Sequence, residues 1–303
     1  MGQIKVWGYL ILANLFWSGN LIFGSYVVDE MSPLWITFSR WLLALFLLMP
    51  IAYFVEKPNL QMIKKEWFPL LIMGLLGIIG YNIFLMAALE HTSATNAALV
   101  TALNPGIIVL FSFFILRETL TRIQVIGLII SILGVMVIIT EGNLIAFIDT
   151  HYNLGDLMVI ITVILWTFYS IIGRKLKTPP ITLTAVSTLF SVLLLAPFAL
   201  SEGISITSVS SMTIIGVLYM VIFPSVCSTV LWNISVREIG VSKPGVSMNL
   251  IPVFTAIAVV VLGGNITKEQ IFGGILVFIG VYLTTGLFEK KMNSRKMKNQ
   301  INL

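Results

Sequence analysis

Between Val6 and Phe288 the chain alternates long apolar stretches with short polar connections. Ten such stretches can be drawn, at 6–28, 34–54, 67–89, 93–116, 123–140, 154–173, 181–200, 211–233, 241–262 and 269–288. Each is close to the roughly 20 residues that a helix needs to cross a bilayer. A crossing segment must satisfy its own backbone, so stretches of this length predict helices. The pattern predicts an all-α membrane protein with ten transmembrane helices and no room for a folded domain outside the membrane.

Composition sharpens this. Hydrophobic residues make up 58% of the chain, charged residues 10%, and mean hydropathy is +1.01. The charge that exists is sorted. Of 18 Lys and Arg, sixteen fall at the two ends and in alternate connections, among them Lys57, Lys64, Lys65, Arg117, Arg122, Arg174, Lys177, Arg237, Lys243 and Lys290. The opposite connections hold Lys268 alone, and Arg40 lies inside a span. Basic residues beside spans mark the cytoplasmic side, which places both termini there. The first apolar run is too long for a secretory leader and reads as a retained span. No organelle address stands out, so the expected location is the plasma membrane, multi-pass. The net charge of +5 is scattered over short loops and the tail, which argues against a nucleic-acid partner. Cys227 is the sole cysteine, and His91 and His151 have no ligand spacing, so no metal and no cofactor are expected.

The second half repeats the first. A shift of 149 aligns Trp17 and Gly24 with Trp166 and Gly173; 147 aligns Pro50 with Pro197 and Pro105 with Pro252; 146 aligns Gln124, Gly127 and Gly134 with Gln270, Gly273 and Gly280. Each half holds five spans, an odd number, so the copies are expected in inverted orientation. Expected units are 1–145 and 146–288, followed by a basic cytoplasmic tail at 289–303. Inverted repeats of this kind mark secondary transporters, with the substrate site near the midplane where the halves meet.

The run Thr92-Ser93-Ala94-Thr95-Asn96-Ala97-Ala98, then Asn104-Pro105, Arg117-Glu118-Thr119-Leu120-Thr121 and the Gln124, Gly127, Gly134 helix resembles an EamA-type member of the drug/metabolite transporter superfamily. In the second half the matching stretch is Gly240-Val241-Ser242-Lys243-Pro244-Gly245, Pro252 and Gly263-Gly264-Asn265-Ile266-Thr267. Asn265 departs from the pattern, standing where a glutamate like Glu118 is favoured. The resemblance implies ten helices in two inverted five-helix repeats that export or exchange small metabolites, often amino acids.

Pro105 and Pro252 lie deep in matching spans. Proline lacks an N–H, so the carbonyls of Thr101 and Met248 are expected to lose their helix donors. Asn104 and Asn249 lie beside these breaks, which read either as the polar lining of a central cavity or as bends made for packing. Trp17, Asn20, Leu21 and Gly24 share one helix face, as do Trp166, Tyr169, Ser170 and Gly173, and Asn14 extends the first arc. That face reads equally as a pocket wall or as a packing seam. Tyr81, Asn82, Trp232 and Asn233 add aromatic and amide groups at depth. Arg40 is an intramembrane cation, whose candidate partners are a substrate carboxylate, Asp29, Glu30 or free carbonyls; alternatively it snorkels outward. Glu118 and Arg122 read as a surface pair.

No Asp or Glu occupies the centre of a span, which disfavours proton antiport of cationic drugs through a central acid. Glu90, at an outer helix end, is the candidate for proton coupling. The leading expectation is a carrier that exports or exchanges a small neutral or zwitterionic metabolite, an amino acid foremost, by alternating access. Its partners are the small-molecule substrate, membrane lipids and a proton or other ion. A monomer suffices, and oligomers stay open. Phosphorylated sugars would need more cavity cations than Arg40. An intramembrane enzyme would need paired acids, a Ser/His pair or an HExxH motif, and none is present. A channel is separated from a carrier by saturation and counterflow.

Overall fold

The computed structural model describes residues 2–92, 100–143, 153–202, 209–261, 263 and 265–289, without the side chains of Leu21, Ser25, Leu89 and Glu90. The Ser93–Ala98 motif with Asn96, Asp149, His151, Gly264 and the tail from Lys290 lie outside the described residues. All described elements are helical. In chain order they are α1 (Gln3–Val27), α2 (Pro33–Glu56), α3 (Leu60–Lys65), α4 (Trp67–Met73), a π-helical segment (Gly74–Gly80), α5 (Tyr81–His91), α6 (Asn104–Leu116), α7 (Arg122–Ile139), α8 (Leu154–Lys175), α9 (Pro180–Glu202), α10 (Ser211–Met220), a second π-helical segment (Val221–Ser228), α11 (Thr229–Ile239), α12 (Ser242–Ser247), α13 (Leu250–Val261) and α14 (Lys268–Thr284).

Eight helical runs are long and apolar enough to cross a membrane, among them Trp67–Ala88, Ser211–Ile239 and Ser242–Val261, each built from consecutive elements. Two of the ten expected spans are shorter among the described residues: α6 has 13 residues and α14 has 17. The outer surface of the helices is rich in large apolar side chains. Phe46, Phe54, Phe114, Phe198 and Phe272 are all more than half exposed, while Thr184, Ser187, Thr188 and Ser191 are fully buried. Small hydroxyls on an inward face let helices approach closely.

Local chemistry explains the helix ends. Ser32 accepts from Trp35 N with Pro33 in the first turn, and α2 stops at Lys57, which takes a left-handed conformation (φ 48°). Capping boxes pair Thr121 with Gln124 and Thr267 with Gln270, the start points of α7 and α14. The shift of 146 that aligns the two glutamines therefore aligns two helix starts.

Packing runs between the halves. The strongest pairings are α7 with α14, α2 with α9, and α5 with α8; α1 packs on α10, α11 and α13, and α6 on α12. At the α7–α14 crossing a Cβ on Gly127 would lie 2.6 Å from Gly280 O, and one on Gly134 2.7 Å from Gly273 O. The two helices are antiparallel here, and their main chains touch because the four residues lack side chains.

Candidate functional site

Two of the expected spans, 93–116 and 241–262, are interrupted among the described residues. Ala102 and Leu103 form a turn ahead of α6, and Met248 and Asn249 form one between α12 and α13. Pro105 and Pro252 therefore stand in the first turn of new helices, where a missing N–H costs nothing. The turns lie just ahead of the two prolines, so the helices restart there instead of bending at the rings. The Met248 carbonyl is not free, since it accepts from Ile251 N at 2.9 Å. Thr101 is exposed at the first interruption.

Amides hold the two breaks together. Asn104 Nδ2 contacts Met248 Sδ at 3.5 Å, linking the fourth span to the ninth. Asn249 donates to Ser131 Oγ of α7 at 2.8 Å. Asn14 of α1 donates to Ser247 Oγ at 3.0 Å and to Leu10 O at 2.7 Å. All three amides are at least 97% buried.

Beside them the aromatic residues form one cluster around Trp166. Its ring centroid lies 5.4 Å from Trp17, 5.3 Å from Tyr81, 4.9 Å from Tyr169 and 5.6 Å from Trp232. Trp232 donates to Ser170 Oγ at 3.0 Å, and Asn233 donates to the Tyr169 hydroxyl at 2.6 Å. Tyr169 and Trp232 have no exposed surface. Trp17 and Tyr81 alone in the cluster keep partial exposure, and the other rings are buried. Gly77, in the π segment, makes room for these rings: a Cβ there would lie 2.2 Å from the Tyr169 ring. Gly24 itself has open space around it, while Trp17 on the same face packs against Trp166 and Trp232.

Arg40 does not snorkel; it is 4% exposed. Its Nε donates to Ser225 Oγ, and Nη1 donates to Asn82 Oδ1 at 3.3 Å. Glu30, a proposed partner, instead accepts from Ser210 N at 2.7 Å. The arrangement begins with Pro224, which the sequence analysis passed over. Its missing N–H deprives the Met220 carbonyl, four residues earlier, of a helix donor. The Ser225 hydroxyl supplies one at 2.8 Å and turns its oxygen to Arg40. Asn82 is likewise held, by donating to Ile78 O at 2.7 Å. Both partners of Arg40 are thus set by π-helical turns. These segments, Gly74–Gly80 and Val221–Ser228, begin at the same offset of 147 that relates the prolines. A π segment has no strong composition signal, which is why Ser225 escaped the sequence reading; Ser247 and Ser131 escaped it because their amide partners lie more than a hundred residues away.

Glu118 pairs across the molecule rather than with Arg122. Its carboxylate accepts from Val241 N, Ser242 N and Ser242 Oγ at 2.7–3.0 Å, capping α12. Gly240 (φ 87°) is required there, because a Cβ would lie 2.6 Å from that carboxylate. Glu56 grips Ile181 and Thr182 in the same manner, and Glu66 grips Lys177 and Thr178. Burial works against the Glu66 charge, but the Thr178 hydroxyl, two N–H groups and Arg237 outweigh it and hold the carboxyl below its ordinary value of 4.5. Beside Glu118 a pocket of about 490 Å³ opens between Gln3, Arg174, Gly240 and Lys243. Among the described residues no group of His, Cys, Asp and Glu is placed to hold a metal ion. Glu90 lies near the end of α5, and its side chain falls outside the described residues.

The pattern of the EamA-like transporter family matches this chain twice, over residues 6–140 and 153–286. The uncharacterized transporter YyaM of Bacillus subtilis (strain 168) is 27% identical over 301 residues, covering 98% of this chain and 99% of its own. An uncharacterized transporter of Archaeoglobus fulgidus is 31% identical over 283 residues, covering 91% and 96%. A probable amino-acid metabolite efflux pump of Salmonella typhimurium is 26% identical, covering 95% and 97%. One solved crystal structure shares the fold with a TM-score of 0.78 at 22% identity, over 94% of this chain and 99% of that one. With both halves matched and the interrupted spans facing each other across them, this chain belongs to the EamA-like transporter family.

Proposed function

We propose that the protein is a secondary carrier of the plasma membrane that exports or exchanges a small neutral or zwitterionic metabolite, an amino acid foremost. Ten spans in two inverted five-helix repeats, with both termini cytoplasmic, rock about a central site, and no covalent chemistry is performed. The observation that carries this reading is the meeting of two interrupted spans at Asn104 and Met248, beside an aromatic wall. Interrupted helices at membrane depth occur where backbone lines a site rather than lipid. Trp17 and Tyr81 contact the apolar part of the substrate; Asn14, Asn20, Asn104 and Asn249 take its polar groups. Arg40 and Asn82 form the floor of the site, with Trp166, Tyr169 and Trp232 behind the wall and Thr101 at its margin. The amino-acid assignment draws support from the Salmonella relative's name. Glu90 is the candidate for proton coupling.

The test is counterflow in proteoliposomes loaded with unlabelled amino acids, with each labelled amino acid offered outside. Saturable accumulation is expected for a few of them, and Glu90→Gln is expected to abolish any dependence on a pH gradient. If Asn82→Ala and Asn249→Ala both leave transport unchanged, the site is elsewhere.

A further inference from the structure

The amides at the centre are turned so that only their oxygens remain available. Asn14 commits its NH2 group to Leu10 O and Ser247 Oγ, and the Ser247 hydroxyl itself donates to Pro244 O at 2.7 Å. This fixes the orientation, because a flipped amide would set its oxygen against the Leu10 carbonyl. Asn104 commits its NH2 to Met248 Sδ. The Oδ1 atoms of Asn14 and Asn104 are both buried with no hydrogen-bond partner, and the same is true of Asn20 one ladder step beyond Trp17. The NH2 groups of the first two are held by adjacent residues, Ser247 at the end of α12 and Met248 in the turn that follows.

Folded proteins rarely leave buried acceptors unmet unless an ion, a water or a ligand meets them. The unmet atoms of these amides are all acceptors and carry no formal charge, and the buried ring N–H of Trp166 is unpartnered as well. The complement of the amide oxygens is a compact group rich in donors or a hard cation that oxygen can coordinate. Arg40 cannot serve here, being a donor itself.

We infer that the amide oxygens of Asn14 and Asn104, at the interruption of the ninth span, bind a small monovalent cation: the ammonium group of the carried metabolite or a sodium ion that accompanies it. The inference rests on the carrier reading above and adds to it what the site selects. Recognition then depends on the amine and proceeds without a carboxylate.

The experiment is thermal unfolding of the purified full chain in choline chloride with three ligand sets. Amino acids carry both groups, amino-acid amides keep the ammonium and lose the carboxylate, and des-amino acids keep only the carboxylate. In a separate arm sodium chloride replaces choline chloride at constant ionic strength. Amino acids and amides are expected to raise the unfolding temperature and des-amino acids to leave it unchanged. Asn14→Leu and Asn104→Leu should weaken the response at least tenfold. Asn104→Asp gives up only the contact with Met248 Sδ and keeps the oxygen, so it should fold and retain or tighten binding. A response to sodium alone that Asn14→Leu abolishes assigns the oxygens to the ion instead of the amine, within the same site. Amines and des-amino acids acting equally without a sodium effect overturns the inference. So does no response to any of these probes, or responses unchanged in both leucine variants. Counterflow separates this from the parent reading. Wild-type counterflow indifferent to both amine and sodium leaves the carrier standing without the cation site. Absence of counterflow for every compound overturns the carrier, while a cation-dependent thermal response is read independently of it.

Discussion

Arg40 is a buried cation whose described partners, Ser225 and Asn82, are both neutral. Such a group is costly because its charge is desolvated without a counter-charge, and each hydrogen bond to it is correspondingly hard to lose. Removing a partner should therefore harm the fold more than removing the charge. Asn82→Leu is expected to destabilise by about 3 kcal/mol, near the upper end for an unmet charged group. Arg40→Met, which fills similar space without charge, should cost less. Denaturant unfolding in detergent compares the two; the reverse order would mean that Arg40 gains more from its surroundings than two neutral partners explain. The sequence placed Arg40 and Asn82 at depth on separate spans and left their pairing open. Only Pro224 and the π turn it permits put Ser225 where it completes the pair.

Among the elements, glycines decide how closely helices meet. Gly280 faces Gly127 O and Ser131 N, and a Cβ there would lie 2.5 Å from both. Backbone atoms cannot move aside as a flexible side chain can, so Gly280→Ala should cost about 1–3 kcal/mol, the usual range for overpacking. Gly24, with nothing within 4 Å, is the control. Gly24→Ala should be neutral or slightly stabilising, since alanine favours helix. Equal unfolding temperatures for the two variants would show that α7 and α14 separate without penalty. The seven-residue spacing of these glycines was legible as a motif, and so were the capping glutamines, because both effects are local. The carboxylate grips of Glu56, Glu66 and Glu118 were not legible. Each partner lies more than a hundred residues away in the chain, and at close range Glu118 offered the misleading neighbour Arg122.

For the molecule as a whole, every major packing contact named above except α1 with its neighbours at the break pairs corresponding elements of the two halves in a reciprocal way. The helices α5 and α8 meet as α10 and α11 meet α1, and α7 meets α14. The distribution of Lys and Arg carries the expectation for how this assembly sits in the membrane. A variant with Cys227→Ser provides a background free of cysteine, since Cys227 is the only one. Cysteines placed at Lys64 and Lys177 should be labelled by an impermeant reagent only after the cytoplasmic side is exposed. One placed at Lys268 should be labelled from outside in intact cells. Labelling of Lys64 and Lys268 positions from the same side would overturn the proposed topology.

The chain by itself determined that the protein is helical, apolar and repeated, because hydropathy, charge sorting and internal similarity are properties of position along a line. It also carries Pro105 and Pro252, which stand in the first turns of helices that restart after the two turns. What the tertiary structure decided is which groups meet: that Trp17 and Tyr81 keep accessible surface while Tyr169 and Trp232 are buried, that Asn104 reaches Met248, and that Arg40 is held by two neutral side chains. Those contacts join residues far apart in the chain through helix crossings whose closeness depends on glycines and π turns. Their energies arise from desolvation and directed hydrogen bonds, which exist only once the helices have packed.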